Sequence, residues 1–234
     1  FKCIHAILIR YHIEQSFSIA IQAIGICSLC IAYLIPVQGQ NLVPNPSFEV
    51  FTMCPPSNLG NGGLMECEPW NSVSGTTDYF HACSDPMYRG VPYNFQGYQP
   101  AHMGAAYSGQ YTWAFSAGAE FMMAPLLDTL EADHCYKVSA WINLANEGCG
   151  ADQYGILLTP DPPTVFVGNF PQINWGGDII TDTVEWTNVL GYYTAIGNEQ
   201  YITLGNFRGN SQTDVDPACY GPPAYAYYYV DDVL

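Results

Sequence analysis

Hydrophobic and polar residues alternate most regularly over CYKVSAWINLA (135–145), where Tyr136, Val138, Ala140, Ile142 and Leu144 interleave with Lys137, Ser139, Trp141 and Asn143. Period two is the mark of a strand that buries one face. Shorter runs rich in β-branched and aromatic residues follow the same pattern at QYTWAFS (110–116), AEFMMAPL (119–126), QYGILLT (153–159) and TVFVGNF (164–170). TVEWTNVLGYYTA (183–195), QYITLGNF (200–207) and AYAYYYVDDV (224–233) complete the set. Gly, Pro, Asn and Asp punctuate the gaps, and no stretch beyond residue 40 carries a convincing helical period. The pattern predicts an all-β antiparallel sandwich. Residues 52–108 differ: they are loop-rich and aromatic, hold Cys54, Cys67 and Cys83, and read as long loops or short edge strands wrapped on the sandwich.

The start of the chain has another character. Lys2 and Arg10 precede the apolar run FSIAIQAIGICSLCIAYLIPV (17–37), which ends in small and polar residues at Gln38 and Gly39. A basic start, an apolar middle and a small-residue end describe a secretory signal peptide over 1–39, cleaved after Gly39. A membrane anchor is the competing reading, weakened by Gln22, Ser28 and Pro36. The expected domain is 40–234, exported to the medium or the cell surface, with no membrane insertion once the leader is removed. Its six cysteines, Cys54, Cys67, Cys83, Cys135, Cys149 and Cys219, suit up to three disulfides in an oxidising compartment, with buried thiols as the alternative.

Charge narrows the function. The chain carries a net charge of −16. Past residue 39 its only basic residues are Arg89, Lys137 and Arg208, whereas all of its acidic residues but Glu14 lie there. Nucleic acids and anionic membranes require basic patches, so neither is an expected partner. Catalysis also lacks support. His81, His102 and His134 stand in no G-x-S-x-G or HExxH motif, and no glycine-rich loop leads into a helix. The acidic TDVDPA (213–218) lacks the glycine and terminal glutamate of an EF-hand loop and reads as a turn.

The order NLVPNPSFE, a Cys-Pro, DYFHAC, GVPYNFQGYQPAHMGAAYSG and finally YITLGNF…YYYVDDV resembles a module of secreted and cell-surface proteins from gliding, polysaccharide-degrading bacteria. That module is similar to the jelly-roll carbohydrate-binding and galactose-binding-like superfamily, and the resemblance spans residues 41–234. It implies a jelly-roll fold whose first and last strands lie side by side and hold a structural calcium. The matching residues here are Asn45, Phe48 and Glu49 at one end, and Asp231, Asp232 and Val233 at the other. Glu49, Asp231 and Asp232 are the implied ligands; neighbouring strand residues point to opposite faces, so one of the two aspartates is expected to reach the site, and Asp231 is favoured because it matches the first acidic position of the family pattern. It also implies a further domain beyond Leu234.

Sugar binding needs flat aromatic faces with amides or acids beside them. Trp141 lies in the polar register of its strand, Trp175 sits among glycines in QINWGGD, and Tyr98, Gln99 and His102 fall together in GYQPAHMG. The expected function is a non-catalytic module that tethers its parent protein to polysaccharide or a cell-surface glycan. The alternative is a structural or adhesive envelope domain that contacts other envelope proteins or spaces domains.

Overall fold

A computed structural model describes residues 39–234 apart from 59, 61, 116 and 223. The proposed leader lies outside the described residues. The chain forms strands β1 (Asn71–Ser74), β2 (Asp78–His81), β3 (Tyr93–Asn94), β4 (Gly97–Tyr98), β5 (Ala106–Ala114) and β6 (Phe121–Pro125). It continues with β7 (Cys135–Leu144), β8 (Tyr154–Thr159), β9 (Ile173–Trp175), β10 (Thr187–Thr194), β11 (Tyr201–Gly205) and β12 (Tyr225–Asp231). Two antiparallel five-stranded sheets result, ordered β10-β7-β12-β5-β2 and β1-β6-β11-β8-β9, with β3 and β4 as a separate hairpin. The fold is the antiparallel β-sandwich that the alternation predicts, of the jelly-roll kind that the resemblance implies.

The period-two pattern explains the core. Val138, Ala140, Ile142 and Leu144 of β7, and Ala226, Tyr228 and Val230 of β12, face Ile156, Leu158, Ile202 and Leu204 of the opposite sheet. Each Val, Ile or Leu of this set contributes about 1.5–3 kcal/mol on burial. TVFVGNF departs from expectation, because it forms a turn-rich loop instead of a strand. Gly168 takes a left-handed φ of 95° there, Phe166 stacks on Phe121 at 4.7 Å, and Val165, Val167 and Phe170 stay exposed. The short strand β9 inside QINWGGD is the converse case: the glycines suggest a loop, yet Ile173–Trp175 pairs with β8.

The NLVPNPSFEVF segment is not a strand either. Asn45 and Phe48 adopt left-handed φ values of 46° and 59°, which break an extended run. Phe48 is instead swallowed whole: it packs on Trp70 at 5.1 Å, and its carbonyl accepts the Tyr79 hydroxyl at 2.9 Å. The expected neighbourhood of the two ends nevertheless forms. The Asn41 side-chain amide donates to the Val233 carbonyl at 2.9 Å, and the Val233 amide to the Pro46 carbonyl at 3.0 Å.

Cys54–Cys83 and Cys149–Cys219 are disulfides. Cys67 corrects the expectation of a half-cystine. It is a buried free thiol beside Asn45 and Phe48, and burial pushes its pKa up to about 12. Cys135 opens β7 and does not pair with it.

Candidate functional site

The outer face of the β10-β7-β12-β5-β2 sheet is divided in two. Over β5, β12 and β2, a row of aromatics lies beneath the chain between β2 and β5. Phe80, Tyr107, Tyr227 and Tyr229 are fully buried there, packed against Val91, Phe95 and Ala101 of that cap. Each tyrosine is tied by its hydroxyl as well as its ring. Tyr229 donates to Asn94 Oδ1 at 2.8 Å, Tyr107 to the Gln99 carbonyl at 3.0 Å, and Tyr227 to Asp78 Oδ2 at 2.7 Å. Arg89, only 1% exposed, closes the edge. Its Nε and Nη2 reach Asp78 Oδ1 at 2.9 and 2.8 Å, and its Nη1 donates to the carbonyls of Pro56 and Asn58. Burial pushes the Asp78 carboxyl up to about 6 in spite of that guanidinium and the Tyr227 hydroxyl.

Over β7 and β10 the same face is open. The antiparallel register sets Tyr192 opposite Lys137, Leu190 opposite Ser139 and Asn188 opposite Trp141. Directly opposed residues share a face, so these side chains form one stripe. Tyr192 is 61% exposed and Leu190 46%, while Trp141 is half-buried. From Asn188 to Tyr192 the stripe runs about 14 Å at ~3.4 Å per residue. At its Trp141 end the His102 ring stacks on the indole at 4.2 Å and 20°. Trp186 then meets His102 edge-on at 6.0 Å, and its Nε1 donates to the Pro100 carbonyl at 3.1 Å.

His102 is placed by a carboxylate clasp. Asp231 Oδ2 accepts the amides of His102 and Met103 at 2.8 and 2.9 Å. Glu49 Oε1 accepts those of Ala105 and Ala106 at 2.7 and 2.9 Å. Gly104 between them has φ 70°, and a Cβ there would fall 2.3 Å from Glu49 Oε1, so only glycine fits this cradle. Asp232, at φ 52°, turns off the end of β12. It accepts Ser47 Oγ at 2.8 Å and meets His102 Nδ1 at 2.9 Å. All three carboxylates therefore converge on one loop, Asp232 included, because the left-handed turn undoes the strand alternation expected to separate it from Asp231. Burial pushes Asp231 up to about 8 even with its backbone amide bonds.

The sequence-predicted residues thus divide. Trp141 and His102 come together on the open stripe. Tyr98 is 45% exposed but lies on the β3–β4 hairpin of the cap, edge-on to Tyr93 at 4.7 Å. Gln99 is 2% exposed and reaches the Val184 carbonyl, which makes it a strut of the cap with no access to a ligand. Trp175 lies in the other sheet, half-buried against the main core, with its Nε1 on the Asp178 carbonyl at 2.9 Å. Tyr192, Leu190, Asn188 and Trp186 were missed. Their signal was in TVEWTNVLGYYTA, where Asn188, Leu190 and Tyr192 share one register opposite the buried Val189.

No family model and no curated protein matches the sequence. Among solved structures the chain is similar to the CBM22-1 xylan-binding domain of Paenibacillus barcinonensis Xyn10C, at 15% identity over 80% of this chain and 88% of that one, with a TM-score of 0.43. It is also similar to TmCBM61 in complex with β-1,4-galactotriose (15%, 83% and 97%, TM-score 0.38). A third is the K1 cleaved adhesin domain of Lys-gingipain from Porphyromonas gingivalis W83 (11%, 70% and 88%, TM-score 0.38). These likenesses are distant, and no functional residue is carried over from them.

Proposed function

We propose that the protein is an exported, non-catalytic carbohydrate-binding module that uses the open β7–β10 half-face to hold polysaccharide or a cell-surface glycan. The observation that carries this reading is the exposed stripe of Tyr192 and Leu190 in line with the stacked Trp141–His102 pair, beside a half-face whose Phe80, Tyr107, Tyr227 and Tyr229 are fully buried. Exposed apolar side chains aligned on a rigid sheet suit a chain of pyranose rings, whose C–H faces stack on aromatics while Asn188 and Lys137 offer hydrogen bonds. Affinity electrophoresis in gels cast with plant and bacterial polysaccharides tests it. Tyr192→Ala is expected to weaken retention about tenfold, or ~1.4 kcal/mol. Wild type that is retarded by no glycan overturns the reading.

A structural calcium at Glu49, Asp231 and Asp232 is a separate part of the proposal. Glu49, Asp231 and Asp232 each hold a different part of the 102–106 loop, and among the described residues no lysine or arginine pairs with any of them. Hard oxygen donors of this kind suit calcium. Among the described residues no set of three metal-ligating side chains stands preassembled, so backbone carbonyls and water would supply the remaining ligands. The ion would tie both ends of the domain to the 102–106 loop. A melting temperature that rises in calcium and falls in EGTA supports it; identical curves in both discard it.

A further inference from the structure

The β7–β10 stripe does not run off the sheet at its Trp141 end. The next residue of β7 on the same face is Asn143, and it is fully buried. The turn that leads into β10 covers it. The Asn143 side-chain amide donates to the carbonyls of Asp182 and Glu185 at 3.3 and 3.0 Å, and the Leu144 amide to that of Asp182 at 3.1 Å. The turn is stiffened from within, since Asp182 Oδ1 accepts the amides of Val184 and Glu185 at 2.8 and 2.9 Å.

That turn is also fastened to the cap. Gln99 Nε2 donates to the Val184 carbonyl at 3.4 Å, and Trp186 Nε1 to the Pro100 carbonyl at 3.1 Å. Trp186 meets His102 edge-on at 6.0 Å and Tyr107 at 5.9 Å, while His102 lies over Trp141. Residues 99–102 and 182–186 thus join in a wall across the line of the stripe.

Resting on the proposal that this face holds polysaccharide, we infer that it takes the end of a glycan chain and not a stretch of its interior. A chain interior has to enter and leave along the stripe, and one closed end forbids that whatever lies at the other. A chain terminus needs a single way in. Its last ring abuts the wall near Trp141, and the rings behind it lie over Leu190 and Tyr192. The wall therefore determines specificity without itself stacking on sugar. Gln99 and Trp186 are its positioning residues, because their side chains bind the turn to the cap.

The test compares a polymer with itself. Soluble linear β-glucan, xylan and mannan are each titrated into the protein at equal mass, intact and after partial acid hydrolysis to fragments still longer than the stripe. Shortening a chain about tenfold multiplies its ends about tenfold, so apparent affinity per gram is expected to rise about tenfold. An interior site gains nothing, since the mass of interior is unchanged. Trp186→Ala lowers the wall and is expected to shrink that advantage to less than about twofold, with circular dichroism reporting that the variant is folded. A variant that does not fold leaves the wild-type comparison to decide. Borohydride reduction of the fragments then names the seated end: binding that is lost marks the reducing end, and binding that persists marks the other. Equal affinity per gram for intact and cut chains overturns the inference while the binding reading stands. So does a folded Trp186→Ala protein that keeps the whole advantage. Binding to neither form overturns the binding reading and the inference with it.

Discussion

Strands β5 and β12 and strands β7 and β10 present the same outer face of one sheet, yet they meet different surroundings. Over the first pair Tyr107, Tyr227 and Tyr229 are roofed by the β2–β5 connection and each is held at its hydroxyl. Over the second pair Tyr192 and Leu190 are left to solvent. Residue type does not distinguish the halves, since both are built from tyrosine and other bulky side chains. What distinguishes them is whether a polar tether is provided: Asn94, the Gln99 carbonyl and Asp78 each receive a hydroxyl in the sealed half. A buried tyrosine needs such a partner and an exposed one does not. Sealed tyrosines thus serve stability, and open ones are free to serve recognition.

Several substitutions would break that contrast or sharpen it. The largest effect is expected from Arg89→Ala, which strips the guanidinium from buried Asp78 and releases the Pro56 and Asn58 carbonyls. Removing one partner of a buried pair costs about 3–5 kcal/mol, read as a lowered urea midpoint. Asp78 itself should impose a pH dependence. Its carboxyl is pushed up from 3.8 to about 6, so the folded state holds that proton more tightly than the unfolded one. Its contribution is therefore greatest below about 3.8 and is lost as pH rises to about 6. Asp78→Asn should flatten the wild-type stability curve within that window, and curves that stay parallel there would refute the assignment. Tyr229→Phe removes one tether to Asn94 and is expected to cost about 1 kcal/mol. Tyr192→Ala, on the open half, should shift stability by less than about 0.5 kcal/mol while still weakening glycan retention. A comparable loss of stability from Tyr192→Ala and Tyr229→Phe would erase the distinction between the halves.

The sandwich was legible because β7 and its neighbours alternate strictly, and alternation reports one buried face. The same rule misled at Trp141 only in degree: its polar register correctly points outward, but His102 arrives from far along the chain to cover part of it. Gln99 and Tyr98 are adjacent in sequence yet one is a buried strut and the other exposed, a difference set by the cap's long-range packing. Trp175 shows the opposite failure, since flanking glycines imitate a loop while Ile173 and Trp175 face the core together. The clasp was half visible. NPSFE and VDDV do meet, but left-handed residues at Asn45, Phe48 and Asp232 replace the expected strand pairing, and no periodicity announces such turns. Cys67 failed for a related reason, because an even count of cysteines says nothing about which of them the core will enclose.

The adjacency of Asn41 and Val233 has a mechanical meaning. Tension applied through those two points would be borne first by the hydrogen bonds joining Asn41, Pro46 and Val233 and by the Leu234–Ser139 pair that ties this end to β7. Stretched between two attachments, a domain built this way adds almost no length until that seam opens.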